Sequence, residues 1–247
     1  MLSKKELKRY DRQIMIPGFG AAGQEKLKKA KVFIAGVGGL GSPVALYLAA
    51  AGIGTLRIAD HDTIELSNLN RQVLYREKDI GEEKAASAAA KLKKLNPQIK
   101  IETISETISE ANVAKLVGDS DMIVDAMDNL PTRYLLNRTA IQKNIPFFHG
   151  AVYGFEGRAM TVIPGKSACL NCLYHGVIVP EEKTPVIGVT PAVIGCIQAT
   201  EVIKYILGMG ELLTGRLLNY DGLRMKFTEF SIKKDPGCAI CGKAPGR

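Results

Sequence analysis

Val32-Phe33-Ile34-Ala35-Gly36-Val37-Gly38-Gly39-Leu40-Gly41-Ser42-Pro43 sets four glycines between two unlike segments. Before them the apolar run Val32 to Ala35 reads as a buried strand. After them Ser42-Pro43, followed by Val44 to Ala51, reads as a helix with a proline in its first turn. Gly36, Gly38, Gly39 and Gly41 therefore occupy a strand-to-helix turn, where missing side chains let the backbone approach a phosphate held by the amides and dipole of the helix N-terminus. A second strand, Thr55 to Ala59, is followed by Asp60, placed where an acidic residue accepts hydrogen bonds from ribose hydroxyls. This order predicts a doubly wound, Rossmann-like α/β fold with a mostly parallel sheet. A glycine turn that serves only close packing is the blander alternative, and the fingerprint by itself favours a dinucleotide enzyme.

The residues further along change that ranking. Ser67-Asn68-Leu69-Asn70-Arg71-Gln72 puts amides and a guanidinium just beyond the ribose position, and Lys84 falls in the first turn of a helical stretch from Glu82 to Leu95. A lysine there opposes the helix dipole, so a bound polyphosphate would account for it; a solvated face is the other reading. Asp128 follows the apolar strand Met122 to Val124 in Asp125-Ala126-Met127-Asp128-Asn129, at the carboxyl edge where open α/β sheets bind ligands. A carboxylate beside phosphates is a ligand for magnesium. Alternatively Asp128 caps the helix starting near Thr132 and Asp125 is the functional acid. A dehydrogenase using the same turn for NAD would leave Arg71, Lys84 and Asp128 without a purpose.

With these motifs in order, the chain resembles the ubiquitin-activating-enzyme-like adenylyltransferases, whose bacterial members are MoeB, ThiF and HesA. The match runs from Arg9-Tyr10-Asp11-Arg12-Gln13 through GVGGLG, SNLNRQ, Gly81-Glu82-Glu83-Lys84 and DAMDN to two CxxC pairs, and covers nearly the whole chain. The resemblance implies one ThiF-type adenylation domain over residues 1–247, with a nucleotide-binding part over 1–165 and knuckles, crossover region and C-terminal strands over 166–247. It implies ATP contacts from Gly39, Asp60, Asn68, Arg71 and Lys84, and gives Asp128 the magnesium and the α-phosphate region. It also implies that Arg12 reaches the ATP of the other subunit of a homodimer. The implied substrate is a ubiquitin-like sulfur carrier ending in Gly-Gly, adenylated before thiocarboxylation for molybdopterin, thiamine or tRNA thiolation. A tRNA nucleoside or a short peptide is the alternative substrate.

Four of the five cysteines form the pairs Cys169-Leu170-Asn171-Cys172 and Cys238-Ala239-Ile240-Cys241. Each spacing lets two thiolates reach one ion, and two such knuckles complete a tetrahedral four-cysteine zinc site that ties the C-terminal portion back to the middle of the chain. A four-thiolate shell leaves no open position, so the site is expected to serve folding. Cys196 lies in an apolar helical stretch, Pro191 to Ile203, and is expected to pack in the core. Val179 to Pro185 contains no cysteine, so no covalent enzyme thioester is expected there. With six residues after Cys241, a rhodanese-like domain is not expected either, and sulfur delivery falls to a separate protein. The irregular stretch carrying Gly176, Pro180 and Pro185 is expected to close over a substrate tail.

Composition narrows the class. The chain has 247 residues, 46% hydrophobic, enough for a large core, and no apolar run of membrane-spanning length or signal-peptide type. A cytoplasmic protein without membrane contact is expected. Its net charge of +8 is spread over lysine clusters that read as solvated helix faces, and there is no tryptophan, so nucleic-acid binding is not expected. His61, His149 and His175 read as structural or solvated, His149 at the end of a strand over Ile145 to Phe148, while Arg57 and Arg133 stay unassigned. Leu217 to Tyr220 and Met225 to Ile232 alternate like strands that extend the sheet.

Overall fold

Alternating burial shows how the sheet divides the core. On the first strand Val32 and Ile34 enter one cluster with the helices of one face, whereas Phe33 and Ala35 enter the cluster on the other face. Both faces are covered, which is why the strand reads as a continuous apolar run. A computed structural model of the chain describes residues 1–177 and 185–242.

The strands are β1 (Lys31–Ala35), β2 (Thr55–Ala59), β3 (Lys100–Ile104), β4 (Met122–Asp125), β5 (Phe147–Tyr153), β6 (Glu156–Val162), β7 (Arg216–Asp221) and β8 (Lys226–Ser231). They form one eight-stranded sheet in the order β3-β2-β1-β4-β5-β6-β7-β8. The first five are parallel and β6 to β8 continue the sheet antiparallel. The expected strands near the C-terminus do extend the sheet, and the glycine turn after β1 lies in its parallel part.

Three helices precede the first crossover: α1 (Lys4–Arg9), α2 (Asp11–Ile14) and α3 (Gly20–Lys29). The others are α4 (Gly41–Ala51), α5 (Lys84–Leu95), α6 (Val113–Val117), α7 (Leu130–Lys143), α8 (Leu170–Tyr174) and α9 (Val189–Leu207). α3, α4, α5 and α9 pack together on one face; α6, α7 and α8 occupy the other. Chain order reverses between β1 and β4, which neighbour each other at the centre of the parallel part. The crevice outside their carboxyl ends is the topological switch point where such sheets bind ligands.

Two glycines make the turn into this crevice. Gly36 has φ of +86°, a left-handed value that a side chain disfavours, and its Cβ would lie 2.8 Å from the Ala126 carbonyl oxygen. At Gly41 a Cβ would come within 2.0 Å of the Gly36 carbonyl oxygen. Backbone cannot yield there as a flexible side chain would. Gly41→Ala is therefore expected to destabilise the fold by about 1–3 kcal/mol, read as a lower midpoint in chemical denaturation; an unchanged midpoint would mean that the turn opens freely.

Sequence and structure differ at three places here. The lysine-bearing helix begins at Lys84 itself, because Glu83 is still extended at its N-cap. β5 runs on to Tyr153, which places His149 inside the strand and not beyond its end. Cys196 is half-buried and lines a shallow apolar groove of about 400 Å³ with Ala192, Val193, Ile197, Thr200 and Phe227. It is not a core residue: α9 buries Ile194, Gly195, Gln198, Ala199 and Val202 and turns the other side away.

Candidate active site

The glycine turn is held from three directions. The Val37 amide donates to Asp60 (2.8 Å), the Tyr75 hydroxyl lies 3.0 Å from the Val37 carbonyl, and the Ser42 amide donates to the Gly38 carbonyl at 2.9 Å. Asp60 also accepts from the Asp62 amide at 3.0 Å. Burial pushes the Asp60 carboxyl up, while these two amides and nearby Lys84 pull it down. Its carboxylate thus already anchors the turn, with lone pairs to spare.

Around the turn stand the cations and amides that the sequence singled out. Arg71 lies over it: a Cβ on Gly39 would sit 3.5 Å from Arg71 Cγ and 3.4 Å from the Pro191 ring at the start of α9. The half-buried guanidinium donates to the Ser67 carbonyl (2.9 Å) and to Asn70 Oδ1 (3.0 Å). Asn68 is buried, and its Oδ1 accepts from the Glu65 amide, shaping the loop that carries Arg71. Gln72 packs beside Gly38, and its buried Oε1 has no partner among the described residues. Lys84 is 8% exposed at its side chain and donates to Asp62 at 2.8 Å. Asp62 was not singled out by the sequence, although it stands two residues after Asp60. It offsets the unfavourable placement of a cation in the first turn of α5.

The other side of the crevice is the loop after β4. Ala126 and Met127 back onto Gly36, and Asp128 comes next, exposed. Its one polar contact among the described residues is a long 3.4 Å approach from the Asn129 amide. The cap of α7 is Asn129, whose Oδ1 accepts from the Thr132 amide at 2.9 Å, so capping does not employ Asp128. Asp125 is fully buried and receives His149 Nδ1 at 2.7 Å. It is therefore not available as the alternative functional acid. Burial pushes the His149 imidazole below its ordinary value, against the opposing pull of Asp125, so the ring is uncharged at neutral pH. Arg133 donates to the Met127 carbonyl at 3.2 Å, and Arg57 pairs with Glu102 at 2.9 Å on the far strands.

Arg12 does not join this group within one chain. It is exposed on α2 and has no polar partner among the described residues. The next residue, Gln13, donates to the Ala51 carbonyl at 2.8 Å, at the end of α4 opposite the glycine turn. An eleven-residue helix puts roughly 16 Å between those ends. The expected closing stretch around Pro180 lies outside the described residues.

A second centre joins the middle of the chain to its end. The Sγ atoms of Cys169, Cys172, Cys238 and Cys241 all lie within 4.8 Å of one another, and all four residues are buried. Individual separations are 3.9 Å (Cys169 to Cys172), 3.8 Å (Cys169 to Cys238) and 3.4 Å (Cys172 to Cys241). Bonds of ~2.3 Å to a tetrahedral ion would set sulfurs ~3.8 Å apart, so the donors fit such an ion. Burial drives the Cys169 thiol up to about 11 and Cys241 upward as well, a cost that a bound cation removes.

The model of the ThiF family matches residues 10–240. The chain belongs to the ThiF family. The SAMP-activating enzyme E1 of Haloferax volcanii is 43% identical over 247 residues, covering 98% of this chain and 91% of that protein. The sulfur carrier protein adenylyltransferase of Thermus thermophilus is 40% identical over 253 residues, covering 98% and 93%. Among solved structures of similar fold, that of E. coli MccB with ATP superposes with a TM-score of 0.83 at 28% identity over 95% of this chain and 74% of that one. This ThiF-family chain has no helix, among its described residues, long and apolar enough to cross a membrane.

Proposed function

We propose that this ThiF-family protein adenylates the C-terminal Gly-Gly carboxylate of a ubiquitin-like sulfur carrier, releasing pyrophosphate. The observation that carries the reading is the convergence of Asp60, Arg71, Lys84 and Asp128 on one glycine turn at the switch point of the sheet. Two anions, a carboxylate and the α-phosphate of ATP, have to meet there. Unscreened repulsion at 4 Å amounts to about 4 kcal/mol at an effective dielectric of 20. Arg71 and Lys84 supply cationic charge, Asp60 receives the ribose, and Gly36, Gly38, Gly39, Gly41 and Asn68 shape the cradle. Asp128, exposed and unemployed, would hold magnesium, which shields the phosphates and stabilises departing pyrophosphate. No general base is needed, because a carboxyl terminus is already ionised at neutral pH.

Arg12 completes the charge from a second subunit of a homodimer. The bond of its neighbour Gln13 to the end of α4 away from the glycine turn supports this. The four cysteines hold structural zinc, and a separate protein in the same cytoplasm supplies sulfur to the adenylated carrier. Relatives named for activating SAMP and sulfur carrier proteins support the substrate class.

ATP–pyrophosphate exchange tests the reading. Exchange is expected only when a small protein ending in Gly-Gly is added. Tight ATP binding without exchange for any such protein would overturn the carrier as substrate and leave a tRNA nucleoside or short peptide to be tried.

A further inference from the structure

The crevice has a polar floor that the proposed chemistry does not use. His149 and Asp125 face each other across the β4–β5 ladder, with both side chains 0% exposed and His149 Nδ1 2.7 Å from Asp125 Oδ2. The other carboxylate oxygen accepts from the Met127 amide at 3.1 Å. Arg133 closes the group: its Nε lies 3.8 Å from Asp125 and donates to the Met127 carbonyl at 3.2 Å. From the opposite face of the sheet, Gln198 Nε2 donates to the Asp125 carbonyl at 2.7 Å and to the Phe148 carbonyl at 2.9 Å. Both polar groups of the Met127 backbone are thereby fixed, one residue before Asp128.

This arrangement is expensive for a position that needs only packing. His149 stacks on Phe147 at 6.4 Å and meets Tyr174 edge-on at 6.1 Å, so an aromatic hydrocarbon would fill the same space. Instead a ring nitrogen, Nε2, is buried with no partner among the described residues. Replacing buried polar pairs by hydrocarbon of similar volume is often neutral or stabilising. Stability alone therefore does not explain the pair.

We propose that His149 is a positioning residue: through Asp125, and together with Arg133, it fixes the Met127 backbone and so sets where the Asp128 carboxylate stands. The inference rests on the adenylation reading for the role of Asp128. His149 touches neither nucleotide nor carrier. Its Nδ1–H orients the Asp125 carboxylate, whose other oxygen then receives the Met127 amide.

The test compares three variants by the magnesium concentration that gives half-maximal ATP binding and by the kcat of pyrophosphate exchange. His149→Phe keeps the ring and removes the donor. His149→Asn places an amide nitrogen near the position of Nδ1, and His149→Gln places one near Nε2, out of reach of Asp125. Loss of such an indirect support costs 10–100-fold in metal affinity or activity in typical sites, so the Phe and Gln variants are expected about tenfold or more higher in magnesium requirement and correspondingly slower, with Asn within about threefold of the parent. ATP affinity without magnesium and metal content at the cysteines are expected to stay unchanged. An unaltered magnesium requirement in Phe and Gln overturns the proposal, as does an Asn variant as impaired as both. If Phe does not fold, Asn against Gln still decides it. A parent protein that binds magnesium and ATP but exchanges with no carrier would remove the carrier as substrate, while the binding comparison would still judge His149.

Discussion

Asp128→Ala is expected to lower pyrophosphate exchange by about 10³-fold, in line with the removal of a single group that stabilises transition-state charge. The folded protein should survive the change. Asp128 is exposed, its contact with Asn129 is long, and Asn129 caps α7. Substitution of such a side chain lies within about 0.5 kcal/mol of neutral. Circular dichroism, thermal midpoint and metal content at the cysteines should therefore match the parent. The loss should fall on kcat with magnesium present, since the proposed phosphate contacts of Arg71 and Lys84 are left in place. Turnover within tenfold of the parent would take the metal role away from Asp128. It would not pass to Asp125, which is fully buried and bonded to His149.

How much of this was legible beforehand follows from the range of each interaction. β2 ends where the apolar run ends, and the turn between β1 and α4 is written in adjacent residues, so local periodicity finds both. The cysteine cluster was legible because each half repeats a short spacing, although the halves lie 69 residues apart. Lys84 could be marked as an awkward cation from helix position alone, yet its partner Asp62 could not, because the two stand 22 positions apart in the chain. The same holds for His149. Its pairing with Asp125 exists only because β4 and β5 become parallel neighbours in register, and nothing near residue 149 announces that. Cys196 was misplaced for a different reason. α9 is apolar on nearly every side, so composition signals burial, but only one side meets the sheet and α4. Its outer side faces the groove beside Phe227.

Replacing Cys238 by Ser should remove the metal before it removes the chemistry. Cys238 and Cys241 belong to the last described segment, which docks beside α8 through these thiols, the packing of Ile240 and the Asn171 amide 3.5 Å from Cys238 Sγ. A serine oxygen is a poor replacement for a thiolate in a four-sulfur shell, and the three remaining thiols would stay buried with no cation to favour ionisation. A loss of about 3 kcal/mol would lower the thermal midpoint by roughly 6–12 °C for a chain of this size. At a temperature where the variant is still folded, exchange per folded molecule should remain near that of the parent. The reason lies in the placement: the cluster sits on the α7 and α8 face, whereas Asp60 and Arg71 stand beside the glycine turn on the loop after β2 and Lys84 at the start of α5. Exchange lost at unchanged metal content and unchanged midpoint would give Cys238 a direct part in the reaction. Metal lost together with the midpoint, at normal exchange per folded molecule, would leave the cluster as the clasp that holds the chain's end to its centre.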